Sequence, residues 1–216
     1  RRHTRYWRDW SSDVCSSDLD RMNIVQYPHP SLRFQARPVT RIDDALRVAA
    51  SRMLELMYEA RGVGLAATQV ALPWRMFVYN PTADPEKREL ERVVLNPVIH
   101  EKRGTQDESE GCLSFPGLYQ KVRRAKTVKV RYFTLEGTQE EIEATDFVSR
   151  IFQHETDHLS GILFIDKLGP IGRLSARPTL ARMEAEYREA QAKGETPPDA
   201  ELIKRLEDIA SGGANP

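Results

Sequence analysis

The chain has 216 residues, 32 Lys and Arg against 32 Asp and Glu, and a hydrophobic share of 40 %. That length suits one domain with tails, the zero formal charge disfavours a general polyanion binder, and the apolar share is too high for a wholly disordered chain. Two cysteines, Cys15 and Cys112, cannot build a disulfide framework, no apolar run approaches the roughly 18–20 residues of a membrane span, and no signal-peptide pattern opens the chain, so a soluble, reduced, intracellular protein is expected.

Residues 1–21 read RRHTRYWRDWSSDVCSSDLDR, with Tyr6, Trp7 and Trp10 set among charges and no helical or strand period. The run from Asp9 to Leu19 resembles the in-frame translation of a sequencing-library adapter. Residues 1–21 are therefore expected to be a disordered, non-native leader, with Met22 as a native start. Setting aside residues 1–19, which carry four basic and three acidic side chains, leaves 28 basic against 29 acidic.

Residues 24–39 contain Pro28, Pro30 and Pro38 and predict an extended, irregular lead-in. Over 42–60 the apolar residues Ile42, Ala45, Leu46, Ala49, Met53, Leu56 and Met57 recur at three and four, which predicts an amphipathic helix. Gly62 and Gly64 are expected to stop it. Short strands are predicted at 75–80 and 92–96, each ending near a proline, with a polar loop at 82–91. A half-exposed strand at 127–135 turns at Glu136-Gly137 into a hairpin partner at 140–145. Helical spacing returns at 146–160 through Phe147, Ile151, His154 and His158. Pro178 is expected to precede a charged helix over 179–193. Residues 194–216 read as a polar tail with room for one weak helical stretch. Strands followed by a central helix, without regular alternation, give an α+β domain. The catalytic domain is expected over 22–193.

Residues 154–158 read His-Glu-Thr-Asp-His. On a helix, positions i and i+4 share one face, so His154 and His158 can reach one cation with Glu155 beside it to handle a proton. A catalytic site of this kind takes a third protein ligand and leaves a position for water. Cys112, 42 residues upstream in Glu-Gly-Cys-Leu-Ser, is the favoured candidate. Glu184 and Glu186, 26 and 28 residues after His158, are alternatives on a charged helix, as in thermolysin-like peptidases. Asp157 reads either as a residue orienting a ligand or as half of a surface ion pair. The segment 62–69, GVGLAATQ, permits close backbone approach at its glycines and then offers one amide, Gln69.

Together, GVGLAATQ (62–69), EGCLS (110–114) and QHETDHLSG (153–161) resemble the three motifs of peptide deformylases, in order and at similar spacing. HPSLRFQARPV (29–39) and ILFIDKLGP (162–170) are also similar to family sequence, and the likeness covers about 22–185. It implies small antiparallel or mixed sheets around the central histidine-bearing helix, with a C-terminal helix. It implies removal of the formyl group from the N-terminal formyl-methionine of new polypeptides, in the bacterial cytoplasm. By motif, Cys112, His154 and His158 resemble the metal ligands and Glu155 the general acid and base. Gln69 and the Leu113 backbone N–H resemble the oxyanion donors, and Gly64 the position that pairs with the peptide. Val63, Phe147 and Ile151 flank these residues and are expected to wall a methionine pocket. The resemblance implies one divalent ion, Fe²⁺ first, with Zn²⁺, Ni²⁺ or Co²⁺ able to substitute. It allows a ribosome contact through the charged C-terminal helix; neither DNA nor a membrane is expected as a partner. Where many relatives carry an arginine after the second motif, this chain has Gly117-Leu118-Tyr119, so contacts to downstream substrate residues depart from the pattern. A thermolysin-like endopeptidase and a metal-holding relative without activity are the competing readings.

Overall fold

A computed structural model of the chain describes residues 22–212. The leader expected over 1–21 lies outside the described residues. Among those described, no helix is long and apolar enough to cross a membrane.

The elements run α1 (Asp44–Glu59), β1 (Gly64–Ala66), β2 (Met76–Tyr79), β3 (Arg92–Arg103), β4 (Gln106–Glu110), β5 (Gln120–Arg124), β6 (Thr127–Phe133), β7 (Gln139–Thr145), α2 (Asp146–His158), α3 (Pro170–Ala192) and α4 (Asp199–Gly212). Strands β1-β2-β3-β6-β7 form one sheet in that order, antiparallel throughout, and β4 and β5 form a separate hairpin. The result is α+β, as expected.

Sequence period explains how the main sheet comes to be covered on both sides. Strand residues alternate faces, so Met76 and Val78 join Leu46, Met53 and Met57 of α1, while Phe77 and Tyr79 join Ile151 and Phe152 of α2. Phe152 is fully buried and meets Phe77 and Tyr79 edge-on at centroid distances of 5.4 and 5.1 Å. Such pairs add about 0.5–1.5 kcal/mol each beyond area burial. This aromatic knot fixes α2, the helix that carries both histidines. A third apolar cluster, with Leu32, Phe115, Val122, Phe164 and Met183, binds the segment after Cys112 to the lead-in over 24–39 and to α3.

Helix α1 is capped by the Asp43 carboxylate, which accepts the Leu46 N–H at 2.9 Å. Its exit differs from the expectation. The left-handed residue is Arg61, at φ 56°, and not a glycine. Gly62 and Gly64 are needed for close approach instead: a Cβ on Gly62 would stand 2.6 Å from Leu113 Cδ1.

Several elements depart from the expected boundaries. Strand β3 runs on to Arg103. The predicted end at 96 reflected Pro97, but that proline sits at a bulge, where the register shifts between Leu95 and Val98 and Asn96 takes φ 52°. The β4–β5 hairpin was not read from the sequence. Pro178 lies inside α3, which begins at Pro170, so it does not precede the helix. The irregular lead-in contains a single 3₁₀ turn at Pro30–Arg33. Within 194–216, Asp199–Gly212 form a 14-residue helix that buries Leu206.

Candidate metal centre

Three of the expected site residues come together. One ligand atom each from Cys112, His154 and His158 lies within 4.8 Å of the others, and Cys112 Sγ is 3.3 Å from His158 Nε2. Tetrahedral metal–nitrogen bonds of about 2.0–2.1 Å and metal–sulfur bonds of about 2.3 Å place donors about 3.3–3.6 Å apart, and the Cys112–His158 pair already stands at 3.3 Å. The set, two imidazoles and a thiol, suits a borderline transition metal. Glu155 adds a second sign that the site receives a ligand: its Oε2 is buried and, among the described residues, has no hydrogen-bond partner. The residues fit a divalent metal.

Helix geometry sets the pair. His154 and His158 are one turn apart on α2, with ring centroids 4.9 Å apart. Cys112 arrives from the turn between β4 and β5. Glu184 is not part of the cluster. It accepts a hydrogen bond from the Tyr27 hydroxyl at 2.8 Å and pairs with Arg188 on its own helix.

Electrostatics differ sharply among the helix residues. Burial alone would lower the His154 pKa, but bonding to Cys112 and to Glu110 outweighs it and holds the ring well above the usual histidine value. Burial lowers His158 well below that value, helped by the His154 and Arg124 charges. Burial pushes the Glu155 carboxyl up to about 7.

Gln69 lies in a 3₁₀ turn at Ala67–Val70, directly after β1, and is 1 % exposed. Its Oε1 accepts the Ala66 N–H at 2.9 Å, which turns its Nε2 toward Ser114 Oγ at 3.1 Å and Cys112 Sγ at 3.4 Å. Thr68 Oγ1 donates to the His158 carbonyl at 3.3 Å and ties this turn to α2. From behind, Val25 N–H donates to the Gln69 carbonyl at 2.8 Å and Tyr27 N–H to the Ser114 carbonyl at 3.0 Å. Gly64 lies against Glu155: a Cβ there would meet Oε1. Strand β1 is an edge of the sheet. Ala66 turns its N–H away from β2, and Gly64, two residues earlier, shares that outward parity.

The remaining expected residues are more scattered. Leu113 follows Cys112, and its side chain covers Gly62. Val63 is half-buried and its carbonyl accepts the Asn80 N–H at 3.0 Å. Ile151 belongs to the core, whereas Phe147, at the start of α2, is 50 % exposed. Tyr119 is 68 % exposed and its ring rests on Gly111, beside Cys112.

One residue inside a quoted motif has a role that its sequence position did not disclose. Glu110 Oε1 lies 2.6 Å from His154 Nδ1, the ring nitrogen on the side away from the thiol. Burial would raise its carboxyl, but hydrogen bonds from His154 and Arg124 outweigh that and lower it to about 2. It therefore stays ionised and fixes His154 as a donor at Nδ1. Asp157, left open between two readings, is paired with Arg124 and lies 3.2 Å from Lys167.

Comparison with known proteins places the chain beside one family. The family model for polypeptide deformylase matches residues 21–173. A peptide deformylase of Rhodopirellula baltica is 44 % identical over 184 residues, which is 85 % of this chain and 91 % of that protein. One from Neisseria gonorrhoeae is 43 % identical over 158 residues, 72 % of this chain and 93 % of its own length. Among solved structures, Plasmodium falciparum peptide deformylase superposes with a TM-score of 0.75 at 40 % identity, covering 77 % of this chain and 98 % of that one. The peptide deformylase of Thermus thermophilus gives 0.69 at 41 % identity, covering 76 % and 98 %.

Proposed function

This chain belongs to the peptide deformylase family, and from that membership we propose how its own residues divide the release of formate from the N-terminal formyl-methionine of new polypeptides. The observation that carries the reading is the convergence of Cys112, His154 and His158 within 4.8 Å, with Glu155 buried against Gly64.

Cys112, His154 and His158 hold the cation. A divalent metal bound there supplies Lewis-acid polarisation of the formyl oxygen and makes water a nucleophile near neutral pH. Glu155 accepts the proton of the attacking water and returns it to the departing amine, worth typically 10²–10⁴ in rate. The Gln69 amide and the Leu113 N–H donate to the oxygen as it becomes negative; one such donor is worth about 3–4 kcal/mol. Leu113 is suited to this because it follows a metal ligand, so its amide is fixed when the ligand is. The bound peptide lies extended along the outer edge of β1 and pairs with Gly64. Val63 and Phe147 line the methionine side chain, with the core residue Ile151 backing them.

Fe²⁺ is the native ion in this reading, supported by the mixed imidazole–thiolate donor set; Zn²⁺, Ni²⁺ and Co²⁺ occupy the same ligands. Residues 22–193 carry the activity, and residues 1–21 are a non-native leader. The protein works in the bacterial cytoplasm, where formylated chains are made, and meets the ribosome through α3. The start of that helix supports the last point: Ile171 and Leu174 are 85 % and 71 % exposed beside the exposed Arg173 and Arg177.

The test is formate release from a formyl-Met peptide by anaerobically purified protein. Turnover that follows metal content is expected. Stoichiometric metal without turnover would support the inactive relative, and cleavage of internal peptide bonds the endopeptidase.

A further inference from the structure

The chemistry described so far ends at Glu110, but the buried charges do not. Arg124, the last residue of β5, has a side chain only 2 % exposed. Its Nε donates to Glu110 Oε2 at 3.1 Å and its Nη2 to Glu110 Oε1, so the guanidinium grips both oxygens of one carboxylate. Its remaining arm, Nη1, donates to Asp157 on α2. Asp157, with a side chain 16 % exposed, is held from the surface by Lys167. One planar cation thus joins the end of β4 to the helix that carries the histidines.

A fork of this kind fixes the plane of the carboxylate it holds, which a point charge does not. That matters because Glu110 has a second suitor. Arg150 Nη1 lies 3.3 Å from Glu110 Oε2, although its guanidinium is chiefly occupied by the carbonyls of Val122 and Glu108. With Arg124 gone, Glu110 is free to turn toward Arg150 and away from His154 Nδ1. The His154 ring then loses the partner that decides which nitrogen it turns to the thiol. His158 offers no substitute restraint: among the described residues its Nδ1 is buried without a hydrogen-bond partner.

We propose that Arg124 is a positioning residue for the reaction: it locks the Glu110 carboxylate so that His154 keeps Nε2 toward the cation, and Asp157 braces Arg124 from the far side. The inference rests on the metal-site reading above. It assigns Asp157 a part in the site although Asp157 touches neither metal nor substrate. It also gives a use to the buried Arg124–Glu110 pair. A buried ion pair is weak evidence for stability, since apolar replacements often fold as well. Its use here is orientation.

The experiment compares Arg124→Met, Asp157→Asn and, as a control, Arg123→Met, the neighbouring arginine on β5 with a 73 % exposed side chain. Zn²⁺ affinity is read by chelator competition, and the ring nitrogens by long-range proton–nitrogen spectra of the ¹⁵N-histidine Zn²⁺ protein. Arg124→Met is expected to weaken Zn²⁺ binding about 10–100-fold and to replace a single His154 ring form by a mixture. Asp157→Asn is expected to act in the same direction, by about 3–10-fold, as the brace of an orienting group. Arg123→Met should match the wild type in both readouts. At saturating metal, kcat should fall in the first two variants with KM little changed. Wild-type affinity and a single ring form in folded Arg124→Met, or in Asp157→Asn if the former does not fold, would overturn the proposal. Failure of the wild-type protein to bind Zn²⁺ through the histidines would remove the metal-site reading itself, a distinguishable result.

Discussion

Gly64 and Glu155 lie so close that a Cβ on Gly64 would stand 2.5 Å from Glu155 Oε1 and 2.9 Å from its Cδ. The glycine therefore sets where the carboxylate rests. In Gly64→Ala the flexible end of Glu155 gives way while the backbone holds. A displacement of about 1 Å can cost about 10² in rate. We expect kcat to drop about 10–100-fold with unchanged metal content and melting temperature. Wild-type turnover in this variant would show that the carboxylate position is not critical.

Glu155→Gln should keep metal and fold but lose nearly all deformylation, because glutamine matches the shape and cannot accept the water proton. General-base help is worth 10²–10⁴, so steady-state kinetics on a formyl-Met peptide should show at most about a tenth of the activity, and more than that would move the proton transfer elsewhere.

Cys112→Ser should weaken the metal site for every ion, since a neutral hydroxyl replaces a thiolate. In the wild-type chain the Fe²⁺ form should be the most active and be lost in air, as ferrous iron beside a thiol invites oxidation. The Ni²⁺ and Co²⁺ forms should keep activity in air, and Zn²⁺ should bind with slower turnover. Metal analysis beside formate release, for each reconstituted form, checks all four statements. Full occupancy in Cys112→Ser would take the thiol out of the ligand set.

The site was legible in the sequence wherever chemistry followed local spacing. His154, Glu155 and His158 are readable because a helix converts i and i+4 into one face. Cys112 was readable as the candidate third ligand once that helix was recognised, whereas Gln69 was readable only through its motif. Glu110 and Arg124 were not, for a physical reason: each looks like a surface charge, and its partners are on other elements, 44 residues away for Glu110 and His154. The hairpin that carries them was missed because Gln106–Glu110 contains no apolar alternation: Asp107, Glu108 and Ser109 face solvent, and the one buried residue, Glu110, is a carboxylate held by Arg124 and Arg150. Pro178 misled in the opposite way. A proline inside α3 forfeits one backbone bond, and the partner carbonyl belongs to Leu174, on a strongly exposed stretch where water can take it.

The C-terminal segment yields a stability prediction. Leu202, Leu206 and Ile209 fall on one face of α4, and Leu206 is 2 % exposed. Asp199, at its start, accepts the Tyr187 hydroxyl proton at 2.7 Å. Leu206→Ala should therefore destabilise the protein by about 2–3 kcal/mol, seen in denaturant melts, with kcat unaffected. A chain beginning at Met22, whose side chain belongs to the first core cluster, should match the full chain in both activity and melting temperature.

Strand β1 is three residues long and stands at a sheet margin, and one of its outward amides, that of Ala66, is already taken by the Gln69 side chain. A margin so short cannot act as a template for long extended segments: ladder pairing there ends after one or two bonds, too few to retain a chain that lacks the right end group. An enzyme exposed to unfolded polypeptide throughout its working life thereby stays clear of fouling. On the proposed docking of the peptide along β1, so brief an edge would make affinity depend on the chain terminus and let each processed product leave.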